Sequence, residues 1–205
     1  MLEMKDDNLN KCILPVTGVI LAGGKSSRMG RNKAFLEYLG KPLIEKSLEE
    51  LRSVFSEVII STNSPERFQR YREKKVTDLY PGCGPLSGLQ SGLQASRFDY
   101  AFFVACDMPF IDPKVIRFLA GYCGKHDVIV PEVDGVLHPL HAFYHKNCLP
   151  LVTEYLEKKS FKIIDFYPRC SVRIVREEEF RSFPQVARSL MNANTDQEWR
   201  ELQTL

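Results

Sequence analysis

Four cations crowd one short stretch of this sequence, Lys25, Arg28, Arg31 and Lys33, and no acid stands among them. Just before them come Ala22, Gly23 and Gly24, small residues that let a backbone approach a ligand closely. That combination suits an anion, most simply a polyphosphate. Lys33 and Arg28 are the residues to neutralise its phosphates. Lys25 is similar but lies on a more flexible part of the loop, and Arg31 fits a solvated face better. One carboxylate matches these cations: Asp107 directly follows an apolar run and is pinned by Pro109. A triphosphate travels with Mg2+, which takes one or two carboxylates plus phosphate oxygens, and Asp107 has the type for that role. The competing role, capping the helix that starts near Pro113, is better filled by Asp112.

Other residues have the types for contacts to a base, a sugar or an acceptor. Gly82, Gly84 and Gly88, in Tyr80-Pro-Gly-Cys-Gly-Pro-Leu-Ser-Gly88, free the backbone to hydrogen-bond the edge of a planar ring. A surface turn has the same composition. His138, His141 and His145 form a His-x-x-His-x-x-x-His series. Residues three apart on a strand face opposite sides, so the series fits a zinc ligand set poorly. A structural role suits it better. Asn192 and Asn194 fall on one face of an extended segment, or else belong to a helix-entry turn.

The elements that must position these residues follow from the apolar pattern. Val16–Leu21 is a β-branched run suited to a strand buried on both faces. Pro42–Phe55 has helical spacing of Leu43, Ile44, Leu48, Leu51, Val54 and Phe55, with Pro42 in the first turn. Strands are expected at Glu57–Thr62, Lys75–Asp78, Tyr100–Cys106, Asp127–Val130, after His138, and at Val172–Val175. Helices are expected at Pro65–Lys74, Leu89–Ser96, Pro113–Tyr122 and Asn147–Lys158, with a last one after Asp196 that turns Trp199 and Leu202 inward. The segment Tyr80–Gly88 carries too many Gly and Pro for regular structure. Asp134-Gly135 reads as a hairpin turn. Strands alternating with helices mean βαβ units, and so an α/β fold with a mostly parallel, mixed central sheet. Tyr100–Cys106, the most apolar strand, belongs at its centre. Residues 16–205 read as one domain, and 1–15 as a flexible N-terminal arm.

A buried strand that runs into a Gly-rich basic loop is where open α/β sheets bind ligands. Two familiar phosphate loops do not fit. A Walker A loop needs Gly-Lys-Ser/Thr after Gly and four residues, and Gly24 stands where that lysine belongs. The dinucleotide pattern G-x-G-x-x-G is absent. What remains is the order L-A-G-G-K-x-x-R-M-G-x-x-K-x-x-L from Leu21 to Leu36. It resembles the nucleotide-binding loop of nucleotidyltransferases that couple a nucleoside triphosphate to a phosphorylated acceptor. Among these it is most similar to the molybdenum cofactor guanylyltransferase family, which joins GMP to molybdopterin. Sugar-phosphate and cytidylyl relatives more often carry Ala-Ala-Gly where this chain has Leu21-Ala22-Gly23-Gly24.

The resemblance extends over nearly the whole chain after Val16. It weakens from the loop to the Gly-Pro segment, to Ala105-Cys106-Asp107-Met108-Pro109, to His138-Pro139 and to Asn192-Ala-Asn-Thr195. It implies a Rossmann-like three-layer αβα sandwich. It also implies GTP contacts at Leu21, Ala22, Gly23, Gly24, Lys33, Asn63, Asp78, Gly84 and Asp107, with Asp78 accepting from a guanine amino group or a ribose hydroxyl. Lys33, Arg28 and Asp107 would be catalytic, with Mg2+ on Asp107. His138, Asn192 and Asn194 would face the acceptor. The implied reaction is attack of the acceptor's phosphate on the α-phosphorus of GTP with loss of pyrophosphate. A phosphate monoester is mostly dianionic at neutral pH, with a second pKa near ~6, so no general base is required. Two other readings stay open: a cytidylyl or sugar-phosphate transferase, and a regulatory protein that holds GTP without turning it over.

Composition bounds the rest. Apolar residues at 44% and charged ones at 26% are ordinary for a soluble domain. A net charge of +2 gives no field for nucleic acid or an anionic membrane. Six scattered cysteines without Cys-x-x-Cys read as reduced thiols of a cytoplasmic protein. No apolar run approaches the ~20 residues of a membrane span. The expected partners are GTP and molybdopterin, with transient contact to cofactor-insertion or molybdenum-insertion proteins.

Overall fold

A computed structural model describes residues 12–23, 33–193 and 198–200. In chain order the elements are β1 (Leu14–Leu21), a short hairpin of β2 (Glu37–Tyr38) and β3 (Lys41–Pro42), α1 (Leu43–Val54), β4 (Phe55–Ser61) and β5 (Lys74–Val76). There follow α2 (Pro85–Ala95), β6 (Tyr100–Ala105), α3 (Pro113–Ala120), β7 (Val128–Val133), β8 (Val136–Leu137), β9 (His141–His145), α4 (Cys148–Glu157), β10 (Val172–Arg176) and α5 (Val186–Ser189). The main sheet runs β10-β7-β9-β6-β1-β4-β5, with β8 paired to β7. β9 is antiparallel to both neighbours, while β10–β7, β6–β1, β1–β4 and β4–β5 are parallel. The mixed, mostly parallel α/β sheet is therefore as expected, and β6 lies at its middle.

Period-two alternation divides the strands between two cores. Ile20, Ile60, Phe102, Val104, Ile129 and Phe143 face one side and pack with Leu48 and Leu51 of α1 and Ile116 and Leu119 of α3. Val19, Leu21, Ile59, Phe103, Val128 and Tyr144 face the other, against Leu86, Leu89 and Leu93 of α2 and Val152 and Leu156 of α4. Helices on both faces make three layers. They also explain why β1 and β6 read as continuous apolar runs: both sides of each strand are covered.

Several local expectations hold. Asp112 caps α3, its Oδ1 accepting from Lys114 N at 2.8 Å. Asp134 and Gly135 both have positive φ, 52° and 70°, as a tight β7–β8 hairpin requires. Others are corrected. Leu14 and Pro15, expected in the arm, are the first residues of β1. Pro65–Lys74 is no helix: a 3-10 turn covers Pro65–Phe68 only, and buried Phe68 and Tyr71 anchor the chain that leads into β5. The hairpin β2–β3 and the short α5 were not expected.

The largest difference is α2, which starts at Pro85 and so takes in Gly88, a residue expected in an irregular loop. Gly84 precedes it with φ 69°, and Pro85 needs no N–H donor in a first turn. Gly88 and Gly92 stay helical because the helix lies directly on the sheet. A Cβ on Gly88 would stand 2.7 Å from Leu21 Cδ2, and one on Gly92 would stand 2.6 Å from Phe103 Cε1.

His141 sits wholly inside the first core, its ring edge-on to Phe102 with centroids 5.0 Å apart. Neither ring nitrogen has a hydrogen-bond partner among the described residues. Burial first, and His138 second, push its pKa down to about 3. The folded protein thus holds His141 neutral, whereas an unfolded histidine protonates near ~6.5.

Two predictions follow from the packing. Between pH 6.5 and 3 the unfolded chain binds the extra proton, so stability falls as pH drops through that window, by about 1.4 kcal/mol per pH unit from this group. In urea unfolding at pH 7 and pH 5, His141→Phe should shrink the difference between the two values; an unchanged difference refutes the assignment. Gly92→Ala should cost about 1–3 kcal/mol through overpacking on the buried Phe103 ring, read as a lower urea midpoint at unchanged m-value.

Candidate functional site

The chain order reverses at β1: β4 and β5 follow on one side, and β6 is laid down on the other. Such a switch point opens a crevice at the carboxyl ends of the strands. Here those ends are β1, β4 and β6. They are bound together just past their last residues, by Ala22 N to Ser61 O at 2.8 Å, Cys106 N to Leu21 O at 3.1 Å and Thr62 N to Val76 O at 2.8 Å. Gly23 leaves β1 into this crevice, and a Cβ there would come no closer than 3.8 Å to anything, the nearest atoms belonging to Asn63 and Thr62.

Lys33 and Asp107 meet at this edge. Lys33 Nζ donates to Asp107 Oδ2 at 2.8 Å, with side chains 18% and 13% exposed. Lys33 begins a 3-10 turn fixed by the fully buried Ala34, and Asp107 follows β6 directly. Asp107 Oδ1 has no protein donor among the described residues. A single carboxylate with a free oxygen is the donor set of a metal that arrives with phosphate ligands of its own, so the residues fit a divalent cation carried by a triphosphate. Among the described residues no group of three or more His, Cys, Asp or Glu is placed to hold a metal without such help.

Asn63 and Asp78 form a second, reciprocal pair. Asn63 Nδ2 donates to Asp78 Oδ2 at 2.7 Å, and Asp78 N donates to Asn63 Oδ1 at 3.1 Å. Burial raises the Asp78 carboxyl above its ordinary range, and the Asn63 bond pulls it partly back. Gly88 brings α2 close to this pair: its Cβ position is 3.1 Å from Ser61 Oγ and 3.8 Å from Asp78 Oδ1. The loop before α2 is tied by Tyr80 N to Ser87 Oγ at 3.3 Å, and Gly82 and Gly84 both take positive φ in open space. Ser87 was not singled out in the sequence, where a serine in a Gly-Pro segment carries no distinguishing signal.

The acceptor candidates arrive from two directions. Ala193 N donates to Asp107 O at 3.0 Å, while Ala193 itself is buried with Leu36, Tyr38, Leu43 and Trp199. That bond places the exposed Asn192 beside Asp107. His138 N donates to Pro131 O at 3.0 Å, and Leu140 O accepts from Ala105 N at 3.2 Å, so the His138–Leu140 turn lies at the same sheet edge. Burial lowers the His138 pKa, with Asp134 opposing. His141 is core, and His145 lies at the other end of β9, where its Nδ1 accepts from Asn147 N at 3.1 Å. Leu21 contributes a floor, its carbonyl bonded to Cys106 and its side chain under Gly88. Gly24, Lys25, Arg28, Arg31 and Asn194 lie outside the described residues.

Comparison with known proteins gives the family. Residues 18–173 match the MobA-like NTP transferase domain. A probable molybdenum cofactor guanylyltransferase of Pelotomaculum thermopropionicum is 42% identical over 183 residues, 89% of each chain. The molybdenum cofactor guanylyltransferase of Desulfosudis oleivorans is 35% identical over 185 residues, covering 89% of this chain and 92% of that one. The crystal structure of molybdopterin-guanine dinucleotide biosynthesis protein A from Archaeoglobus fulgidus superposes with a TM-score of 0.81 at 25% identity, over 92% of this chain and 97% of that one. With a domain match over residues 18–173 and kinship along most of its length, the chain belongs to the MobA-like NTP transferases.

Proposed function

We infer that this protein is a molybdenum cofactor guanylyltransferase, moving GMP from GTP to the terminal phosphate of molybdopterin and releasing pyrophosphate. The observation that carries the reading is the Lys33–Asp107 pair at the switch point, with the Asn63–Asp78 pair on the neighbouring strand ends. The kinship with proteins of that name supports the choice of base and acceptor. Among the described residues no helix is long and apolar enough to cross a membrane.

In this reading Gly23 and the loop after it admit the triphosphate against backbone, without side chains in the way. Lys33 compensates charge on the phosphates and on the departing pyrophosphate. Asn63 and Asp78 hold the base or sugar, using hydrogen-bonding atoms already ordered by their own pair. Gly84 leaves the loop backbone open to the nucleoside. Asn192 and His138 approach Asp107 from the acceptor side. Asp107 would hold Mg2+, which supplies charge neutralisation on the phosphate oxygens when bound. The acceptor phosphate is its own nucleophile, so positioning and charge complementarity are what the chain must supply.

Pyrophosphate release measured with GTP, CTP and ATP in turn, in the presence of molybdopterin and Mg2+, should give product with GTP. Release with CTP instead would move the chain to the cytidylyl branch, and release with none despite GTP binding would favour a non-catalytic regulator. Lys33→Ala should lower kcat about 10²–10³-fold, the cost typical of losing one donor to developing charge. GTP affinity should change by less than about tenfold. Equal losses in rate and affinity would remove Lys33 from the catalytic step.

A further inference from the structure

Cys148 and Cys170 stand 22 positions apart in sequence, with Sγ atoms 4.0 Å apart. Cys148 is the buried first residue of α4; Cys170 is half-buried and ends the 3-10 stretch Ile163–Arg169. Among the described residues no other two cysteines are in contact.

What brings this pair together is one residue, Asp127. Its Oδ1 accepts from Asn147 Nδ2 at 3.0 Å, next to Cys148, and its Oδ2 accepts from Ser171 N at 3.1 Å, next to Cys170. Its backbone N donates to Ser171 O at 2.8 Å, and its carbonyl accepts from Cys148 Sγ at 3.6 Å. A carboxylate that grips the residue before one thiol and the residue after the other fixes their separation through the backbone.

We propose that Cys148 and Cys170 are a site of reversible disulfide formation, at the sheet edge opposite the nucleotide crevice. The location follows from β6: its first residue, Tyr100, pairs with His145 just before Cys148, whereas Asp107 lies beyond its last. The sulfurs must approach by about 2 Å to reach bonding distance, a displacement that side-chain torsions can supply. A cleft of about 640 Å³ is lined by Asp127, Asn147 and Ser171, the residues flanking and bridging the two cysteines, and neither sulfur lines it. Burial raises both thiols, Cys148 more than Cys170, so each reacts through a small thiolate fraction. Cys170 is half-buried while Cys148 is fully buried, so an oxidant reaches Cys170 first.

With hydrogen peroxide as oxidant, the Cys170 thiolate attacks one oxygen and the O–O bond breaks, leaving a sulfenic acid and hydroxide, which takes up the thiol's proton as water. Cys148 sulfur then attacks Cys170 sulfur, the S–O bond breaks, and the departing hydroxide leaves as water with the Cys148 proton. Two thiols lose two electrons, and one peroxide becomes two waters.

The test treats the full chain with stoichiometric hydrogen peroxide and maps it by mass spectrometry without reduction. A Cys148–Cys170 cross-linked peptide should appear, and titratable thiols should fall by two from six. Thermal melting should rise roughly 5–10 °C, as expected for a loop of this length, and return on adding dithiothreitol. GMP transfer should change less than about twofold. Cys170→Ser should abolish both the cross-link and the rise. Cys148→Ala should do the same, and serves if the first variant folds poorly. Cross-links to other cysteines, a Cys170 that stops at sulfinic acid unlinked, or a rise that survives in both variants would overturn the proposal.

Discussion

The ion pair between Lys33 and Asp107 joins segments 74 positions apart, and the rest of the architecture can be read as what that meeting requires. Both side chains are largely withdrawn from water, and two charges taken out of water are tolerable only when each finds a partner. For them to meet, β1 and β6 must lie side by side with their carboxyl ends level. That register is held by paired residues from Thr17↔Ala101 to Leu21↔Ala105. It needs close cover on both faces, which explains the glycines: Gly18 sits against Phe55, Gly88 against Leu21 and Gly92 against Phe103, all at distances a Cβ would violate.

The crevice is consequently built more from backbone than from long side chains. Its three strand ends are tied by main-chain bonds, its second polar pair is closed on itself, and Asn192 is set in place by the burial of the neighbouring Ala193. This arrangement suits phosphoryl chemistry, where positioning contributes more than any one acid or base. Groups already ordered before the ligand arrives lose little freedom when it binds.

Much of this was legible in the sequence because the signals are strong and local. The apolar runs at Val16–Leu21 and Tyr100–Cys106 announce strands covered on both faces, and Asp107 announces itself by following one of them. Lys33 and Asp107 could be named separately, yet only the fold puts Nζ at 2.8 Å from Oδ2. The Asn63–Asp78 pair was likewise visible as two residues and not as one unit. The start of α2 was misread because glycine was weighed as a helix breaker, whereas Gly88 and Gly92 serve interlayer contact. The polar stretch Pro65–Lys74 was misread in the opposite sense: only Phe68 and Tyr71 reach the core, two anchors that hold a short turn and an extended lead into β5 but make no apolar stripe for a helix. His141 could not be distinguished from its neighbours by type, since burial, not identity, made it part of the interior.

The titratable neighbours of the crevice complete the physical picture. Cys106, adjacent to Asp107, is pushed up to about 12 by burial and by that carboxylate, so its thiol stays neutral. Burial lowers the His138 pKa, which likewise favours the neutral form, with Asp134 opposing. Burial thus works against charge on either group beside Lys33 and Asp107. A phosphate acceptor comes already ionised near neutrality, with a second pKa of about 6. In the proposed reaction a site that matches charge to charge gains from having neutral neighbours, because stray charges would compete with Lys33 for the phosphates or with a metal for Asp107. The histidine and the cysteine at this edge are therefore best understood as groups whose burial keeps them out of the electrostatics, leaving the lysine and the aspartate to set them.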